Sequence, residues 1–144
     1  MKAHLVLDTS VVIKWFRQGE ILADRALALR AAYVEGRVQV SVPTLLAYEL
    51  TNVLRYKEDL TTAQVGEAVQ SLFDMGLVWV APTAAAMRRA AAIARKSDGT
   101  VYDATFAACA EGLEATFITA DQRLARRFAE WPFVCFLGDG EDRG

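Results

Sequence analysis

Four carboxylates of this chain stand inside apolar segments, where an unpaired carboxylate is costly. Asp8 follows His4-Leu5-Val6-Leu7, and Glu49 lies within Leu45-Leu46-Ala47-Tyr48-Glu49-Leu50. Asp103 lies within Val101-Tyr102-Asp103-Ala104, and Asp121 closes Phe117-Ile118-Thr119-Ala120-Asp121. If the fold gathers these four, their mutual repulsion has one natural remedy, a bound divalent cation. Oxygen-only ligands suit Mg²⁺ or Mn²⁺ rather than zinc. The chemistry so implied is metal-dependent hydrolysis of the phosphodiester-cleaving kind, with a bound water made acidic and the scissile phosphate neutralised.

Each acid also has a plainer use. Asp8 could cap a helix beginning near Val11, with Ser10 as a rival, and such a cap contributes about 1 kcal/mol. Glu49 has Leu45 and Val53 at i±4 and Leu46 at i−3, the middle of an apolar stripe, where a solvated glutamate does not belong. Asn52, at i+3, is placed to orient its carboxylate. Asp103 has Phe106, Ala107 and Ala110 on its own helical face, and in a first turn it also favours the helix dipole. Asp121 could be a cap as well, although Thr119 with Gln122 three residues on already makes a capping-box pattern. Taken jointly, the plain readings require two acids on buried faces and two at strand ends to be unrelated. A metal site accounts for all four at once.

Other chemistries lack their parts. The single histidine, His4, excludes paired-histidine RNA cleavage and an HExxH zinc site, and no GxSxG elbow accompanies it. There is no GxxxxGK[ST] phosphate loop, and Gly138-Asp139-Gly140 does not follow the GxGxxG pattern. A haloacid-type phosphatase needs a second aspartate two residues after the first, where this chain has Ser10. A receiver-like phospho-acceptor wants an adjacent acidic pair early in the chain, and none is present. The two cysteines, Cys109 and Cys135, lie in apolar stretches without CxxC spacing and read as free thiols. A net charge of −2 argues against holding nucleic acid by charge alone, but allows a local basic rim. Arg123, Arg126 and Arg127 directly follow Asp121. Their default is a solvated helix face, and phosphate contact is the alternative.

The elements that must position these groups alternate along the chain. Short apolar or β-branched runs predict strands at 3–7, 38–42, 77–80, 116–119 and 133–137. Helices are expected at 10–16, 20–35, from Pro43 to about 58, 61–74 with Thr61 as N-cap, 83–96, 101–111 and 122–129. Such alternation predicts an α/β fold with a parallel sheet covered on both faces. Ligands of open parallel sheets bind beyond the carboxyl ends of the strands, where Asp8 and Asp121 both fall. At 144 residues one domain is expected, closing in a polar tail at 138–144. The 53% hydrophobic share can cover an oligomer interface as well as a core. The N-terminal apolar run is too short for a signal peptide, and no run of about 18 apolar residues exists, so a cytoplasmic protein is expected.

Four segments in order carry a resemblance. They are Leu7-Asp8-Thr9-Ser10-Val11 with Lys14-Trp15-Phe16, then Glu49-Leu50-Thr51-Asn52-Val53-Leu54-Arg55, then Tyr102-Asp103-Ala104 before an alanine-rich helix, then Thr119-Ala120-Asp121-Gln122-Arg123-Leu124. Together they resemble the PIN domain, specifically the single-domain VapC-type toxins of toxin–antitoxin pairs, over nearly the whole chain. The resemblance implies a three-layer α/β/α fold with a central parallel sheet over 1–137. It implies an endoribonuclease whose acidic quartet of Asp8, Glu49, Asp103 and Asp121 holds Mg²⁺ or Mn²⁺, supported by Thr119 and Asn52. It also implies an RNA substrate and an antitoxin whose tail enters the acidic pocket; Arg123, Arg126 and Arg127 are the candidates for contact with that RNA, and a homodimer is expected. A housekeeping RNA-processing nuclease and a non-catalytic binding module are the alternatives.

Overall fold

The computed structural model describes residues 2–17 and 19–139. Strands β1 (Ala3–Leu7), β2 (Val38–Pro43), β3 (Val78–Val80), β4 (Thr116–Thr119) and β5 (Val134–Phe136) form one sheet. Their order is β3-β2-β1-β4-β5, and every pair is parallel. The connecting helices are α1 (Thr9–Val12), α2 (Ala23–Val34), α3 (Leu45–Arg55), α4 (Thr62–Asp74), α5 (Ala84–Ser97), α6 (Val101–Leu113) and α7 (Gln122–Arg127). They cover the sheet in the expected α/β/α arrangement.

Burial explains why β1 is central. Leu5, Val6 and Leu7 are all buried, the continuous apolar run of a parallel strand covered on both faces. β1 pairs with β2 on one side and β4 on the other, so the order of connection reverses there. That reversal opens a crevice beyond the carboxyl ends of β1 and β4. Helix α6 packs across β1, β2 and β4 and pairs lengthwise with α5. Phe106 of α6 stacks on Phe117 of β4 with centroids 6.3 Å apart, and Phe117 meets Phe128, just past α7, at 6.5 Å. All three rings are fully buried. This row ties together the elements that carry Asp103 and Asp121.

Several boundaries differ from the sequence expectation for local reasons. Pro43 does not open α3; it ends β2, paired with Val80, and the next residue, Thr44, donates its N–H to the Val80 carbonyl at 3.1 Å. Helix α2 begins at Ala23 rather than at 20 because Leu22 is left-handed, at φ 66°, which a right-handed helix does not accommodate. Helix α3 stops at Arg55, where Tyr56 and Lys57 turn back onto Val53 and Leu54 at 3.2 and 3.1 Å. Thr61 does cap α4, in a full capping box with Gln64. At the carboxyl end, Leu137–Asp139 forms a 3₁₀ turn to which Arg25 donates hydrogen bonds at the Leu137 and Gly138 carbonyls. The rest of the expected tail, 140–144, lies outside the described residues.

Candidate active site

The site is built outward from Asp8. Its N–H continues the β1–β4 ladder to Ile118 at 3.0 Å, and its carbonyl receives the first N–H groups of α1, from Val11 at 3.0 Å and Val12 at 3.2 Å. Asp8 therefore occupies the N-cap position of α1, but its side chain makes no cap hydrogen bond. The carboxylate turns instead toward β4, where Oδ2 accepts from Thr119 Oγ1 at 2.7 Å and from Ser10 Oγ at 2.8 Å. Ser10 Oγ in turn accepts the Ala120 N–H at 2.9 Å, and Thr119 Oγ1 accepts the Asp121 N–H at 3.0 Å. Two hydroxyls thus knit the ends of β1 and β4 around one buried carboxylate.

Glu49 reaches the same place from α3. It is half-buried, and Thr9 Oγ1 donates to its Oε1 at 2.7 Å. Asp103 sits in the first turn of α6, whose cap Thr100 accepts the Asp103 N–H at 3.1 Å. Asp121 is exposed and caps α7, its Oδ1 accepting from Arg123 N–H at 3.0 Å and Leu124 N–H at 3.2 Å. The capping reading of Asp121 is therefore correct for one oxygen, and the capping box expected of Thr119 and Gln122 is not formed. Thr119 spends its hydroxyl on Asp8.

The electrostatics bind the four into one run. Burial pushes the Asp8 carboxyl above its ordinary value, opposed by Thr119 and Ser10, with the charge of Asp103 adding to the rise. Burial also raises Glu49, against the bond from Thr9, and the charges of Asp8 and Asp103 add to it. Asp103 is raised by burial, against Thr100, with Asp121 raising it further and Arg127 opposing. Asp8, Glu49 and Asp103 are thus each raised in part by the charge of another acid. Among the described residues no three acids converge closely enough to ligate one ion as they stand. The donor set nonetheless fits a hard cation: all oxygen, closely coupled in charge, and at Asp8, Glu49 and Asp121 with the bonds above confined to one carboxylate oxygen.

The remaining expected residues divide. Asn52 is exposed and lines a groove with Tyr48, Phe73 and Trp79; the side chain that bonds Glu49 is Thr9. Arg123 and Arg126 are exposed on α7. Arg127 donates to the carbonyls of Ser97, at 3.2 Å, and Asp98, fastening the end of α5. Thr9 and Ser10 were missed by sequence reasoning. Their signal was available, two hydroxyls directly after a strand-end aspartate.

Three solved structures share this architecture. A protein of Pyrobaculum aerophilum is 16% identical with a TM-score of 0.70, covering 99% of this chain and 97% of that one. A toxin–antitoxin complex from Klebsiella pneumoniae contains a chain 17% identical with a TM-score of 0.68, covering 92% and 97%. The sarcin–ricin loop cleaving toxin VapC20 of Mycobacterium tuberculosis is 14% identical with a TM-score of 0.66, covering 85% and 93%. At these identities the likeness is one of fold. A search of curated proteins finds no match. No helix among the described residues is long and apolar enough to cross a membrane. The family model of the PIN domain matches residues 5–129, so that β4 and all four acids lie inside the match, and the chain belongs to the PIN domain family.

Proposed function

We propose that this chain is a metal-dependent endoribonuclease, the toxin of a type II toxin–antitoxin pair. The observation that carries the reading is the coupled run of four acids at the carboxyl ends of β1 and β4. Among the described residues no cation opposes the raised carboxyls of Asp8 and Glu49, and the one that opposes Asp103 is Arg127, which is already bonded to backbone carbonyls. A cluster left so short of positive charge is suited to receive a divalent ion, Mg²⁺ or Mn²⁺. Among the solved neighbours of the same fold are a toxin–antitoxin complex, two VapBC proteins and a sarcin–ricin loop cleaving toxin, which supports the biological setting.

When bound, the ion would supply a water of lowered pKa and positive charge beside the scissile phosphate. Asp8, buried and held by two hydroxyls, would be the rigid ligand of that ion. Glu49, fixed by Thr9, and Asp103 complete the set from α3 and α6, with Asp121 offering the oxygen its cap leaves free. Arg123 and Arg126 face outward beside Asp121 and are proposed to meet RNA phosphates. The nuclease domain is assigned to 1–137, acting in the cytoplasm as a homodimer, with exposed Val101 and Tyr102 available to the interface. Cleavage of defined RNAs by purified protein tests this reading. Activity should require Mg²⁺ or Mn²⁺ and vanish with chelator; activity undiminished by chelator would refute the metal mechanism.

The hydroxyl support gives a graded prediction. Thr119→Val removes the shorter of the two hydroxyl bonds to Asp8 and leaves a buried carboxylate less satisfied. Loss of a bond that orients a metal ligand lowers activity about 10–100-fold, and an unpaired buried acceptor costs about 1–3 kcal/mol. Cleavage rates and urea melts measure both; an unchanged rate would show that Thr119 does not position Asp8.

The antitoxin reading is tested by competition. A groove on α3, the helix that carries Glu49, is lined by Tyr48, Phe73 and Trp79 and has a volume of about 870 Å³, and Tyr48 is 75% exposed. An amphipathic tail laid there would carry an arginine or lysine to the acids. Mn²⁺ should then weaken tail affinity beyond a monovalent salt of matched ionic strength. Affinity indifferent to Mn²⁺ would place the tail elsewhere.

A further inference from the structure

The opposite, amino edge of the sheet carries a second cleft, of about 460 Å³, a size common among small-molecule sites. It lies between α2, the starts of β1 and β2, and the turn from α4 into β3. Its walls are largely apolar, from Tyr33, Val38, Met75 and Val78, and Tyr33 Oη closes one side by donating to the Met75 carbonyl at 2.8 Å. Two cations line it, Lys2 and Arg30.

Among the described residues Lys2 and Arg30 form no ion pair. Arg30 Nε is buried with no hydrogen-bond partner, the one such side-chain atom among the described residues. The guanidinium is always charged, so its buried donor invites an acceptor. Two acids adjoin the lining residues in sequence and both are occupied: Glu35, between Val34 and Gly36, by Arg37 at 2.6 Å, and Asp74, before Met75, by Gln70 at 2.9 Å. Gly36 and Gly76 stand at the cleft with positive φ and no side chains, leaving its mouth open.

We propose that this cleft binds a small ligand with a flat apolar body and one anionic group, the anion meeting Lys2 and the guanidinium of Arg30. The apolar walls take the body, and the two unpaired cations choose the charge. The site is independent of the acids and of the nuclease reading. Lys2 and Asp8 stand at opposite ends of β1, about 20 Å apart at roughly 3.3 Å per residue.

The test is two-dimensional ¹H–¹⁵N NMR of the full chain, following the Arg30 Nε–H resonance and the backbone amides of Val38 and Gly76. The probes are AMP and 2-naphthoate, with adenosine and inorganic phosphate as single-feature controls. Either amphipathic anion should move these signals saturably, and which one binds tighter identifies the headgroup. Each control should bind at least about fivefold more weakly than that probe, since it offers half of the recognition. Lys2→Gln and Arg30→Gln should each weaken binding at least about fivefold, and Lys2→Gln, at the chain's exposed start, keeps the test valid if Arg30→Gln fails to fold. Asp8→Asn should leave binding unchanged. Signals unmoved by both anions at millimolar concentration would overturn the proposal. So would a control binding as tightly as its parent, or affinity indifferent to Lys2→Gln.

Discussion

Asp8→Asn is expected to abolish RNA cleavage, by about 10²–10³-fold or more, and to leave the metal-free fold as stable as the parent or more so. The two halves of that result have one cause. The amide that replaces the carboxylate would keep an oxygen to accept from Thr119 and Ser10, so the seam between β1 and β4 survives. What disappears is a buried negative charge beside Glu49 and Asp103. Asp8, Glu49 and Asp103 are all held above their ordinary values, first by burial. The folded protein therefore binds more protons than the unfolded chain, and this contribution erodes stability as pH rises from the ordinary carboxylate range of about 4 through the raised values. The variant lacks one of the three groups. Its advantage in metal-free buffer should widen as pH rises, which paired thermal melts between pH 5 and pH 8 measure. A variant that melts clearly lower without metal at neutral pH would return Asp8 to a purely structural role.

Mn²⁺ is expected to reverse that ranking. An ion that binds only the folded state stabilises it by about 2.7 kcal/mol at a hundredfold excess over Kd. For a domain of this size that corresponds to roughly 5–10 °C in Tm. Asp8→Asn and Asp103→Asn should gain far less, because each removes a ligand and one source of the attraction. Acidification should shrink the wild-type gain, since protons compete for the same raised carboxylates. Equal shifts in wild type and both variants would mean that the ion binds elsewhere.

Much of this site was legible in the sequence, for reasons that differ by residue. Asp8 and Asp121 follow short apolar strands, and parallel topology sends such positions to one edge of the sheet. Glu49 was betrayed by its place within an apolar helical stripe, which left it half-buried. Those are regularities of backbone period. The support of the acids follows another logic, because it is made across the chain. Thr9 lies 40 residues from Glu49, and Thr119 lies 111 from Asp8. Helical spacing therefore pointed to Asn52 as the partner of Glu49, while strand adjacency supplied Thr9. Thr119 and Gln122 matched a local cap pattern, but the long-range bond to Asp8 claimed the hydroxyl and left Asp121 to cap α7. Pro43 likewise obeyed its pairing with Val80 in the sheet rather than its propensity for a first helical turn.

The metal site is tested most directly by the anomalous scattering of Mn²⁺ soaked into crystals of this protein. A peak is expected beyond the carboxyl ends of β1 and β4, at bonding distance from Asp8 and from at least one of Glu49, Asp103 and Asp121, and absent in Asp8→Asn crystals. A strong peak away from these carboxylates, or one that survives unchanged in Asp8→Asn, would contradict a metal centre built on Asp8.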